Sequence, residues 1–378
     1  VSLRFFKAGT VRQRDDALDS SERETTVGAS SLRGDRFIRE DSAVDDNERP
    51  RFLSAGRLPP AADVQSGVDE AWRRFRGHAD GRPSAVYPAL AEVDPALFGV
   101  AVIGTSGQTF TAGDALTRFT IMSVAKPFVL ALVCEEVGLG RVRQVVGVNA
   151  TGLPFNTVQA VEASPGGRTN PMVNPGAIAT TSLMPGRSVE ARWKTILAGL
   201  SRFAGRDLNV DGGMLDSARA TNHRNRALAN LLTSVGGLLG DPAEAVDLYT
   251  RQSCLEVTAV DLAVMGATLA DGGVNPVSRE AVVSAPTAQA VLAMMTIAGM
   301  YETSGDWLLD VGVPAKSGIG GGIICVAAGK GCLATFAPPL DASGNSVRGQ
   351  LAAAYLARVL GLDMLASAPA PTHTGSSS

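Results

Sequence analysis

Two strand hairpins bracket the apolar part of this chain, and nearly everything between them reads as helix. Phe98-Gly99-Val100-Ala101-Val102-Ile103 and Gln108-Thr109-Phe110-Thr111 have strand composition and are joined by a Thr105-Ser106-Gly107 turn. Far downstream, the runs 322–328 and 332–336 flank Gly329-Lys330-Gly331 in the same manner. From about 123 to 287 the pattern is helical, broken by loops such as Pro165-Gly166-Gly167 and Asn174-Pro175-Gly176. That order cannot alternate strand, helix and strand, so a parallel sheet is excluded. The expected fold is α/β of the α+β kind. One antiparallel sheet is built from both ends of the chain and covered by helices at 64–76 and 346–360. A helical subdomain is inserted at about 123–287, and catalytic groups are expected in the cleft between sheet and helices.

The flanks differ in kind. Residues 1–62 are rich in Arg, Asp, Glu and Ser without helical or strand periodicity, and Pro59-Pro60 closes the stretch. They are expected to be a disordered extension, residues 63–364 the folded domain, and 365–378 a disordered polar tail. Val1-Ser2-Leu3-Arg4-Phe5-Phe6-Lys7 has the look of a short targeting piece, but Asp15 and Asp16 follow too soon for one. A net charge of −3 leaves no basic surplus for phosphates, so no nucleic-acid partner is expected. No run approaches the roughly 18 apolar residues of a membrane span, and no basic-then-apolar leader opens the chain, so a cytoplasmic enzyme without a membrane partner is expected. Cys134, Cys254, Cys325 and Cys332 lack paired spacing, which argues against a disulfide or metal role, and no cofactor is expected.

Lysine is scarce. Only Lys7, Lys126, Lys194, Lys316 and Lys330 occur, so surface charge is mostly an arginine task. Two of the five sit in Ser123-Val124-Ala125-Lys126 and Lys316-Ser317-Gly318, the order and type of motif found in serine β-lactamases and penicillin-binding proteins. If Ser123 begins a helix, Lys126 lies one turn on along the same face, and first-turn N–H groups favour an oxyanion there. Pro127-Phe128-Val129-Leu130-Ala131-Leu132-Val133-Cys134 then reads as a buried helix, and burial lowers a lysine toward the neutral form that accepts a proton. In Gly318-Ile319-Gly320-Gly321-Gly322 the missing side chains let a substrate approach the strand backbone, with the Ile319 N–H as an oxyanion donor. The plain alternatives are a chance Ser-x-x-Lys and a bulged strand.

Further blocks make a resemblance specific. Tyr87-Pro88-Ala89-Leu90-Ala91, Asn170-Pro171-Met172-Val173-Asn174-Pro175-Gly176, Arg224-Asn225-Arg226, Tyr249-Thr250-Arg251-Gln252, Gly299-Met300-Tyr301 and Leu340-Asp341-Ala342-Ser343-Gly344-Asn345-Ser346 accompany the two lysine motifs in order. Over about 64–361 the chain resembles the serine-dependent glutaminases, which implies a β-lactamase-like fold. It also implies hydrolysis of L-glutamine to L-glutamate and ammonia through a glutamyl-serine ester. Carried over by position, the resemblance implies Ser123 as nucleophile, Lys126 as base, and Tyr249 and Tyr301 as active-site tyrosines. Asn174 and Asn225 would hold the ends of the substrate, Ile319 would supply the oxyanion donor, and a homodimer or homotetramer becomes plausible. Without the resemblance, these residues read as a turn Asn, a cap Asn and two buried rings.

The chain also departs from the family pattern. Ser217-Ala218 stands where members usually carry Ser-Glu, Met122 stands where a glutamine commonly precedes the nucleophile, and Pro175 stands where an alanine is usual. Loss of a charge-assisted partner costs on the order of 1.5–3 kcal/mol. The rival expectations are another acyl-enzyme hydrolase, such as a β-lactamase, peptidase or esterase, and a catalytically weakened binding protein.

Overall fold

In the computed structural model, which describes residues 56–367, the two hairpins meet in one sheet. Strands β1 (Gly99–Gly104), β2 (Thr109–Gly113), β5 (Ala315–Ser317), β6 (Gly322–Ala327) and β7 (Gly331–Phe336) run antiparallel in the order β2-β1-β7-β6-β5. A separate two-residue ladder pairs β3 (Phe119–Thr120) with β4 (Glu256–Val257). The joint between early and late chain is the β1–β7 pairing, in register from Gly99 opposite Phe336 to Gly104 opposite Gly331. The expected disorder of 1–62 and 365–378 falls largely outside the described residues.

Helices cover both faces of the sheet, which explains why its central strands are apolar without alternation. Val100, Val102, Ile323, Cys325 and Leu333 face the helices Ala61–Phe75 and Val347–Val359. The intervening Ala101, Ile103, Ile324, Val326, Cys332 and Ala334 face the helix Ala259–Ala270. That helix lies within the span read from sequence as the helical subdomain, yet it packs directly on β1, β6 and β7. It starts with a capping box: Thr258 accepts from the Asp261 N–H and Asp261 accepts from the Thr258 N–H. Arg206 forms a two-pronged pair with the Asp261 carboxylate, at 2.8 and 2.6 Å.

The rest of the central region surrounds the helix Ala125–Val137, whose first ten residues are all buried. It packs on the helices Asn174–Ser182, Val189–Ala204 and Ala285–Ala298, with Phe128 against Phe203 at a centroid distance of 5.1 Å. Gly138, at φ 80°, ends it in a conformation that glycine adopts without penalty. No described helix is long and apolar enough to cross a membrane.

The approach of helix Ala259–Ala270 to the sheet depends on Gly266. A Cβ at that position would lie 2.3 Å from the Cys332 sulfur and 3.0 Å from the Cys332 Cβ. Gly266→Ala should therefore destabilise the protein by about 1–3 kcal/mol through overpacking. Adding Cys332→Ala should return part of that loss, as urea denaturation of both variants would show.

Candidate active site

The backbone at Ser123 is pinned before the helix begins. The Ile121 N–H donates to the Leu255 carbonyl at 2.9 Å, extending the β3–β4 ladder. Met122 then takes a left-handed turn at φ 48° and leads into a 3-10 turn, Met122–Val124, from which the helix Ala125–Val137 continues. Ser123 therefore sits at a helix entrance and is only 8% exposed. Met122 and Tyr301 (φ 58°) are two of three described non-glycine residues at positive φ, a conformation costing about 1–3 kcal/mol.

The glycine-rich segment presses on this corner. It is a tight turn between β5 and β6 rather than the strand expected from sequence. The Gly318 N–H donates to the Gly322 carbonyl, and Gly321, at φ 93°, donates back to Gly318. A Cβ at Gly318 would lie 3.2 Å from the Ser123 nitrogen, and one at Gly320 would lie 2.6 Å from the Thr120 carbonyl. Only glycine lets the turn sit so close. Among the described residues, the Ile319 N–H donates to no backbone or side-chain acceptor.

Lys126 is buried, and among the described residues no carboxylate pairs with it. Its Nζ donates to the Asn174 Oδ1 at 2.7 Å and to the Met172 carbonyl at 3.3 Å, and lies 5.9 Å from the Tyr249 ring centroid. Burial lowers its pKa to about 7, so near neutrality a large share of the amine is uncharged. A neutral amine that donates both hydrogens in this way keeps one lone pair free.

The Asn174 side chain begins a directed chain of amides. Its Oδ1 also accepts from the Tyr249 hydroxyl at 3.2 Å, so its Nδ2 must point the other way, toward Asn225 Oδ1 at 3.0 Å. Asn225 Nδ2 donates to Asn222 Oδ1 at 2.6 Å, and Asn222 Nδ2 donates to Thr250 Oγ1 at 2.9 Å. The lysine and tyrosine donors thus fix the orientation of three amides in series.

Tyr249 and Tyr301 stand beside Ser123, whose hydroxyl partly offsets the effect of burial on both phenols. Burial raises Tyr249 well above its usual value and Tyr301 to about 12, so both keep their protons at neutral pH. The Tyr301 hydroxyl donates to the Ser317 carbonyl at 3.2 Å, and its ring stacks near Phe155 at 4.4 Å. Lys316 does not line the cavity. Its Nζ lies 4.2 Å from the Tyr301 ring centroid and donates to the carbonyls of Gly299 and Ser317. Burial, and secondarily Lys126, lower it well below the usual lysine value.

A cavity of about 80 Å³ opens beside Ser123, several times the roughly 10–15 Å³ that one water needs. Of the residues singled out in the sequence, Ser123, Asn174, Asn225, Tyr249 and Ile319 line it, while Lys126 and Tyr301 stand immediately behind. Sequence reasoning missed Asn156 and Asn222, and left Arg224, which lies in a quoted block, without a role. Asn222 carried one weak signal, its place two residues before Arg224-Asn225. Tyr87 lies in a quoted block but was given no role, although it too lines the cavity. Among the described residues, no three His, Cys, Asp or Glu side chains are grouped to hold a metal.

A family model described as Glutaminase matches residues 81–365. Glutaminase 2 of Yersinia pestis is 55% identical over 318 residues, covering 84% of this chain and 94% of its own. A glutaminase of Brucella canis is 52% identical over 305 residues, or 80% of this chain and 96% of its own. A solved probable glutaminase superposes with a TM-score of 0.81 at 42% identity, over 82% of this chain and all of its own. Mglu in its glutamate form gives 0.77 at 36% identity, over 81% of this chain and 71% of its own.

The buried lysine makes stability depend on pH. Between about pH 7 and 9 an unfolded chain keeps the Lys126 proton that the folded one has released, so stability rises with pH. Above that window the buried cysteines and tyrosines act oppositely, because the unfolded chain loses protons that the folded one retains. In urea titrations at pH 7 and 9, Lys126→Met should lose its stability advantage over wild type by up to about 1.4 kcal/mol per pH unit.

Proposed function

The chain belongs to the glutaminase family, and from that premise we propose that it hydrolyses L-glutamine to L-glutamate and ammonia with Ser123 as nucleophile. The observation that carries this reading is the buried Lys126 amine, its pKa lowered to about 7, one turn from a serine at a helix entrance beside a cavity. In the first step the Lys126 lone pair takes the Ser123 proton as Oγ bonds to the side-chain amide carbon. The resulting oxyanion meets the free Ile319 N–H and the first-turn N–H groups at Ser123. Collapse breaks the C–N bond, the lysine proton leaves with ammonia, and a glutamyl-Ser123 ester remains. Water then attacks this ester, Lys126 again takes a proton, and glutamate departs as Ser123 regains its hydrogen.

The tyrosines complete the proton path in this scheme. Tyr249 donates to Asn174, leaving its oxygen able to accept from Ser123, while Tyr301 stands beside Ser123 and donates to the Ser317 carbonyl. Asn174 and Asn225 are assigned to the ends of the substrate because both line the cavity in fixed orientations. The same reading takes residues 63–364 as the catalytic domain of a cytoplasmic homodimer or homotetramer. Its support is the apolar helical region and the family membership.

Ser123→Ala should abolish ammonia release while circular dichroism stays unchanged, and full activity in that variant would refute the nucleophile. Lys126→Arg should be nearly inactive, because a guanidinium stays protonated and cannot serve as base. In wild type, kcat/KM should rise as pH increases through about 7, following release of the Lys126 proton. A profile flat from pH 5 to 9 would exclude that base.

A further inference from the structure

Tyr301 and Ile319 reach the site from separate segments, and the turn at 341–345 is wedged against both. Gly344, at φ 90°, comes so close that a Cβ there would stand 3.7 Å from Ile319 Cγ2 and 3.8 Å from Tyr301 Cε2. The turn is itself braced. The Asn345 N–H donates to Asp341 Oδ1 at 3.0 Å, the Asp341 N–H donates to the Asn345 carbonyl at 2.8 Å, and Gln350 Nε2 donates to Asp341 Oδ2 at 2.8 Å. The Asn345 side chain is fully buried, and its hydrogen bonds go to the segments that carry Tyr301 and Ile319. Its Oδ1 accepts from Ser317 Oγ at 2.5 Å, and its Nδ2 donates to Thr303 Oγ1 at 3.1 Å. Because Thr303 Oγ1 spends its own hydrogen on the Met300 carbonyl, at 2.8 Å, it can only accept from Asn345, which fixes the amide in one orientation.

The Ser317 carbonyl receives both the Tyr301 hydroxyl and the Lys316 amine, so the placement of that peptide decides where the phenolic hydrogen rests. We propose that Asn345, which does not line the cavity, is a positioning residue for proton delivery to the leaving nitrogen: by tying Ser317 to Thr303 it holds the Tyr301 hydroxyl in place beside Ser123. This rests on the acyl-serine reading above and adds no reactant to it. As the C–N bond breaks, the phenolic proton passes to the departing nitrogen and the phenolic oxygen recovers a proton from Lys126. Such a relay needs its heavy atoms within hydrogen-bond reach, and a displacement of about 1 Å can cost on the order of a hundredfold in rate.

The test compares kcat/KM for L-glutamine with that for the γ-methyl thioester of L-glutamate, whose methanethiolate departs without a proton, with Ser123→Ala as blank. In Asn345→Leu the ratio of amide to thioester turnover should fall about tenfold or more, as it should in Tyr301→Phe, and adding Asn345→Leu to Tyr301→Phe should lower it no further. If the leucine variant does not fold, Thr303→Val removes one hydroxyl from the same brace and carries the same expectation, with Thr303→Ser restoring the ratio. Equal losses on both substrates would make Asn345 a structural part only and overturn the inference, as would an unmoved ratio or a fall that persists without the Tyr301 hydroxyl. Each of those results leaves the acyl-serine reading standing. Wild type that releases no more ammonia from glutamine than Ser123→Ala would instead overturn that reading and this inference with it.

Discussion

Burying the Lys126 amine without a carboxylate is the constraint around which this structure is arranged. An unpaired ammonium is costly in a protein interior, and the group answers by shedding its proton. Had an acid been placed beside it, the lysine would be a stable ion and a poor base. The fold instead offers two neutral oxygens, from Asn174 and Met172, which hold the amine in position in either charge state. Everything that touches those two acceptors inherits a positional duty, including the amides that run through Asn225 and Asn222 to Thr250.

A second buried lysine reinforces the first. Lys316 lies beneath the Tyr301 ring and binds the carbonyl that also receives the Tyr301 hydroxyl. Ser317 is tied in turn to Asn345 at 2.5 Å, and Asn345 to Thr303 at 3.1 Å. The strained turn at Tyr301 is thus held from several sides, as a sparsely populated backbone conformation requires. Two of the five lysines, Lys126 and Lys316, are thus interior parts, while Lys194 is exposed.

The sheet was legible because its three central strands are continuous apolar runs, and because two hairpins separated by helices admit few topologies. The place of Ser123 and Lys126 at the entrance of a buried helix was legible from their spacing read together with the downstream lysine motif, since residues three apart share a helix face. The 318–322 segment was legible in composition but not in shape. Glycine permits a close approach in either a strand or a turn, and only the Gly321 and Gly318 hydrogen bonds distinguish them. Asn156 and Asn222 were given no place in the site, because their position at the cavity arises from packing of segments far apart in sequence. The left-handed Met122 was likewise hidden, as methionine carries no preference for that conformation.

The pairing of β1 with β7 has a consequence in time. A ribosome releases the Ser123 segment early, yet the turn that presses on it and the strands that fix that turn come about two hundred residues later. Until residue 336 has emerged and zipped against residue 99, nothing holds Gly318 beside Ser123. Such long-range closure is slow relative to local helix formation. On the proposed reading, a nascent chain therefore carries the Ser123 hydroxyl without its flanking turn until the last hairpin appears and completes the site.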